Sequence, residues 1–131
     1  MSKNYAIFHP DDFIFFGSPE IMEKYLIRES EAELAIELVD LYIAEHQALF
    51  ANSVDRNPNI DLKNYIVQLS GYIDSNKDLM IQLNCIKRGW VEGYDWNKKL
   101  FFIDDGGNSY FQVDLNFSQS KIVGLRVNGL A

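Results

Sequence analysis

The sequence holds one cysteine, Cys85, two histidines, His9 and His46, and three prolines in 131 residues. One thiol excludes an intrachain disulfide framework and an all-cysteine zinc site. Two histidines at unrelated positions lack the paired spacing of a histidine metal site, so neither a metal nor another cofactor is expected. Basic residues are also short: 12 Lys and Arg stand against 19 Asp and Glu, for a net charge of −7. A chain without a basic face suits neither nucleic acid nor an anionic membrane surface, so neither is expected as a partner. No apolar run exceeds four residues, as at Phe13 to Phe16, where a spanning helix needs about 20. The N-terminal stretch has no apolar run of signal-peptide length, and the expected compartment is the cytoplasm. Scarce proline beside 47% hydrophobic and 14% aromatic residues excludes a disordered chain.

What remains is enough for one domain over 1–131, with an N-terminal strand segment (1–17), helices (18–53) and an antiparallel sheet (60–131). Gly17-Ser18-Pro19-Glu20 reads as a helix start, with Ser18 as cap and Pro19 in the first turn. Ser30 to Glu33 reads as a capping box. From there Ile36, Val39, Ile43 and Phe50, widened by Ala35, Leu38, Tyr42 and Leu49, recur at helical spacing to about Asn52. Asp55 to Asn59 is a breaker-rich loop. Beyond Ile60 the period changes to two. Tyr65, Val67 and Leu69, then Leu79, Ile81, Leu83 and Cys85, alternate with amides. Leu100 to Ile103, Tyr110 to Leu115 and Ile122 to Val127 are the further strand candidates. Hairpin-length connections demand antiparallel pairing. The expectation is an α+β fold: a long helix packed on a four- to five-stranded antiparallel sheet.

In element order this outline is similar to the cystatin-like arrangement shared by cystatins and the NTF2-like superfamily. The cystatin inhibitory elements do not match: Gln68-Leu69-Ser70-Gly71 lacks the valine and one residue of the inhibitory hairpin, and Arg88-Gly89-Trp90 lacks its proline. The C-terminal half resembles a family of small uncharacterised bacterial proteins of Bacteroidetes type. The resemblance rests on Ile81 to Cys85, on Phe102-Ile103-Asp104-Asp105-Gly106-Gly107-Asn108-Ser109-Tyr110-Phe111, and on Val127-Asn128-Gly129. It implies a fold and no activity.

Four groups of residues bear on function. Asp104, Asp105 and Asn108 could serve as cation ligands, but a calcium loop needs six or more ordered oxygens. The alternative reading is a hairpin turn that uses Gly106 and Gly107 for positive φ. His46 falls near the sheet-facing edge of the helix, where Glu45 or Asp114 could orient it as a base, or where it is a core residue. Cys85 shares a strand face with Leu79, Ile81 and Leu83 and reads as a buried, inert thiol. Trp90, Tyr94 and Trp96 crowd a glycine-broken connection beside Arg88, and read either as a partner contact or as closure of the core.

The charge is unevenly placed. Residues 18–52 hold eight acids and two bases, whereas residues 61–131 hold eight of each. Glu33, Glu37 and Asp40 lie on the polar side of the helix, which reads as a solvated face or as a decoy surface for a basic protein, as immunity proteins use. No nucleophile elbow, phosphate loop or dinucleotide fingerprint is present. The functional expectation is a non-enzymatic protein-interaction module. The alternative is a ligand-binding or enzymatic pocket between helix and sheet, lined by His46 and the aromatics. A weak homodimer through the polar face of the sheet is the third reading, because Asn64, Gln68, Gln82, Asn84, Gln112 and Asp114 alternate outward there.

Overall fold

The structure is a computed structural model and describes residues 4–103 and 106–127. Six strands and one helix form an α+β fold. The strands are β1 (Tyr5–Ile7), β2 (Glu23–Tyr25), β3 (Tyr65–Ile73), β4 (Leu79–Lys87), β5 (Tyr110–Asn116) and β6 (Lys121–Val127); the helix α1 is Glu29–Glu45. β3 to β6 run as an antiparallel meander. Two short strands complete the sheet along the far side of β3. β1 pairs with Val67 to Leu69 in parallel, and β2 pairs antiparallel with Gly71 to Ile73. The sheet is therefore mixed and one strand larger than the sequence pattern suggested.

The β3–β4 hairpin follows from Asp74, whose carboxylate accepts the N–H groups of Asn76 and Asp78. Lys77, at φ 65°, takes the left-handed position of that turn. The period of two then places Val67, Leu69, Ile81, Leu83, Cys85, Phe111, Val113 and Leu115 on one face, all buried. α1 covers that face with Ala32, Ala35, Val39 and Ile43, spaced three and four apart and fully buried. Phe50 extends the same packing from a 3-10 turn, its ring edge-on to Phe111 at 5.0 Å.

Several expectations change in detail. Gly17 and Ser18 are both left-handed (φ 80° and 48°), so the chain turns there and continues into β2 instead of starting a helix. The cap of α1 lies two residues earlier than Ser30. The Glu31 carboxylate accepts the Arg28 N–H at 2.9 Å and the Tyr25 hydroxyl at 2.9–3.0 Å, which fixes the helix start at Glu29. The helix ends at Glu45, and His46 is its C-cap.

Leu100 to Ile103 is not a strand. With the segment Phe8 to Phe16 it crosses the other face of the sheet as a third layer. The polar residues of that face are consequently interior: Gln68, Ser70 and Asn84 are fully buried, and Gln82 and Gln112 nearly so. Covering segments outside the sheet have no ladder partners for their backbone groups, and the amides supply them. Gln68 Nε2 donates to the carbonyls of Trp96 and Lys99, while its Oε1 accepts from Phe101 N–H. Asn84 donates to Phe101 O. Gln82 bonds both the N–H and the C=O of Phe16, and the Ser70 hydroxyl donates to Phe8 O. The chain itself thus occupies the face on which a weak homodimer was expected.

Candidate functional site

With both sheet faces covered, the outer side of α1 is the acidic surface left open to solvent. A helix packed by one stripe leaves the rest of its circumference in solvent. On α1 that side carries Glu33, Leu34, Glu37, Leu41, Ala44 and Glu45, all exposed, with Asp40 half-buried at the margin. The Tyr5 hydroxyl donates to Glu33 at 3.0 Å. Glu37 and Asp40 form no ion pair among the described residues. Leu34 and Leu41, seven residues apart and so on one side of the helix, are 46% and 58% exposed. Half-buried Leu38 lies between them and connects the stripe to the core. The sequence reading singled out Glu33, Glu37 and Asp40 but passed over the leucines; their departure from the buried 32–35–39–43 register was the available signal.

At the C-terminal end of this face a shallow groove of about 340 Å³ is lined by Asp40, Ala44, Gln47, Asn59, Ile60, Asp61 and Lys63. Its wall is firm, because Gln47 clamps the backbone of Ile60 through both amide atoms, at 2.7 and 2.8 Å.

His46 does not line a pocket between helix and sheet; that interface is filled by Val39, Ile43, Phe50 and Phe111. Its Nδ1 lies 2.8 Å from Tyr42 O, which places the proton on Nδ1, and its ring stacks on Tyr42 at 4.1 Å. Neither suggested orienter reaches it. Glu45 is exposed, and Asp114 lies on the opposite face of the sheet, bound by both terminal nitrogens of Arg126. The arrangement caps the helix and contains no acid–base pair.

Asp104 and Asp105 lie outside the described residues. The Asn108 side-chain Nδ2 donates to Phe50 O and to Asp55 Oδ2, and its backbone carbonyl accepts the Tyr65 hydroxyl. It closes the loop after the helix. No group of three or more potential metal-binding side chains occurs among the described residues. Cys85 is fully buried, and burial pushes its thiol pKa well up, so it is no nucleophile.

The aromatic connection divides. Trp96 turns inward and packs against two buried clusters, that of Ala6, Phe8 and Phe13 and that of Ile66, Ile86, Val91 and Tyr110. Trp90 and Tyr94 remain exposed, with the Tyr94 ring edge-on to Phe101 at 6.1 Å. Arg88 donates to Lys63 O. The exposed Trp90 and Tyr94 belong with the layer opposite α1, whereas Arg88 reaches Lys63 at the rim of the groove beside the helix.

No described helix is long and apolar enough to cross a membrane. No protein-family model, no curated protein and no solved structure matches the chain.

Proposed function

We propose that this chain is a non-enzymatic protein-interaction module that engages a basic partner through the outer face of α1, in the cytoplasm. The resemblance to the small Bacteroidetes-type family belongs to the same proposal. The observation that carries it is the leucine stripe. Leu34 and Leu41, one helical repeat apart, stand half exposed among Glu33, Glu37 and Glu45, so that apolar surface lies inside a frame of carboxylates. Apolar anchors inside a ring of like charge are the arrangement of an interface: the leucines supply burial and the carboxylates select a cationic surface and speed its approach. A toxin-neutralising decoy is the form of this function that the acidity favours.

The test is retention of partners from native lysate on immobilised protein, with wild type, Leu34→Ser/Leu41→Ser and Glu33→Gln/Glu37→Gln run side by side. A basic protein should be retained at low salt, released as ionic strength rises, and lost from the leucine variant. Retention unchanged by both variants would refute the assignment of this face.

A further inference from the structure

The amides of the outer face form a directed chain that ends in an acceptor without a partner among the described residues. Gln68, Asn84, Gln112 and Arg126 are successive cross-strand neighbours over β3, β4, β5 and β6. Gln112 Nε2 donates to Asn84 Oδ1 (3.3 Å), Asn84 Nδ2 donates to Gln68 Oε1 (2.9 Å), and Gln68 Nε2 donates to loop carbonyls. An amide that donates in such a chain becomes a stronger acceptor at its own oxygen. That oxygen is Gln112 Oε1. The residue is only 5% exposed, yet its Oε1 has no hydrogen bond among the described residues. No side-chain N or O atom shut off from solvent lacks a partner among the described residues, so this oxygen is reached by solvent, and Gln112 lines a cleft of about 320 Å³ with Phe16, Phe102, Tyr110 and Arg126 among its other walls.

Arg126 stands directly opposite Gln112 in the strand register. Of its five N–H donors, two bind the Asp114 carboxylate and one binds Phe16 O. Gly17, at φ 80° and without a Cβ, leaves room for this guanidinium. Phe16, held through its backbone by Gln82, turns its ring against Phe102 with centroids 5.5 Å apart, which makes an aromatic wall. The charges of Arg126 and Asp114 cancel, so the site offers little to an anion. Its open positions are one polarised acceptor beside remaining donors, against an apolar wall.

We propose that this cleft binds a neutral planar ring whose edge carries an N–H beside a C=O, a lactam-type heterocycle. The N–H donates to Gln112 Oε1, the C=O accepts from Arg126, and the ring lies against Phe16 and Phe102. The site lies across the sheet from α1 and is independent of the partner surface there.

Carbostyril, a bicyclic lactam, is the probe, and N-methylcarbostyril is the same ring without the donor. Amide NMR titration of the full chain should show saturable shifts at the Gln112 side chain and the Phe102 and Arg126 backbones. Loss of one hydrogen bond should weaken the N-methyl compound by about fivefold. Phe102→Ala, at a half-exposed position that does not threaten the fold, should weaken both compounds. Gln112→Met should abolish the difference between them. Absence of saturable shifts at the cleft, or equal binding of the two compounds to the wild type, would overturn the proposal.

Discussion

Gln68→Met keeps the length and volume of the side chain and removes its hydrogen bonding. Gln68 is fully buried and makes four bonds: to Trp96 O (2.8 Å), to Lys99 O (2.6 Å), from Phe101 N–H (3.1 Å) and from Asn84 Nδ2 (2.9 Å). At a net worth of about 1 kcal/mol each, the four contribute about 4 kcal/mol. If the covering segment stayed in place, its stranded backbone groups would each cost a further ~1–3 kcal/mol. The segment therefore lifts toward water before that full cost is reached, and its own docking free energy sets the ceiling. A loss of about 4 kcal/mol is a large share of the roughly 5–15 kcal/mol of a typical domain. Urea denaturation reads the global part of the loss. Hydrogen exchange at the Phe101 amide reads the local part, and its protection should fall well beyond the global change. A stability loss under about 1 kcal/mol, with Phe101 protection unchanged, would refute the claim that the amide row fastens the third layer.

Phe50→Ala empties the contact between the 3-10 turn and Phe111 and should cost about 3–5 kcal/mol in the same denaturation assay, as a buried phenylalanine does. A cost below about 1 kcal/mol would mean that the helix end does not pack as described. Burial pushes the Tyr110 hydroxyl, which donates to Phe101 O, up to about 12. Because the folded value is raised, its contribution to stability is complete below the unfolded value near 10 and is lost as pH climbs from there toward 12. Site-resolved NMR of the Tyr110 ring should show ionisation near the top of that range; ionisation near 10 would contradict its burial.

The elements that the sequence made legible are those whose partners lie on one repeating face. Ala35, Val39 and Ile43 announce α1, and the alternations at Tyr65 to Leu69 and Leu79 to Cys85 announce β3 and β4. β1 falls in the expected N-terminal strand segment, but its parallel pairing with β3 was not legible, nor was β2, because three residues carry little periodicity and the pairings span about 60 and 50 positions of sequence. The helix start was ambiguous for a physical reason: Ser30 with Glu33 and Arg28 with Glu31 offer the same spacing, and the Tyr25 hydroxyl decides for Glu31. The larger misreading concerned the polar side of the sheet. Gln68, Gln82, Asn84 and Gln112 alternate as a solvated face would, and only their chemistry separates the cases. Solvated strands favour Lys, Glu and Thr, whereas uncharged amides with both donor and acceptor suit buried backbone. The amides were a signal for a covering layer.

That layer also accounts for the charge distribution. An unpaired charge on a sheet enclosed from both sides would have to be desolvated. The outer rows accordingly carry amides and one compensated pair, Asp114 with Arg126. The other described acids and bases from Asp61 onward stand at strand ends and in connections. α1 is under no such constraint on its outer side, and its excess of carboxylates is therefore a choice of surface, not a consequence of the fold. The helix thus carries its excess charge and two half-exposed leucines on the same face, and the proposed recognition of a cationic, apolar-centred surface rests on that combination.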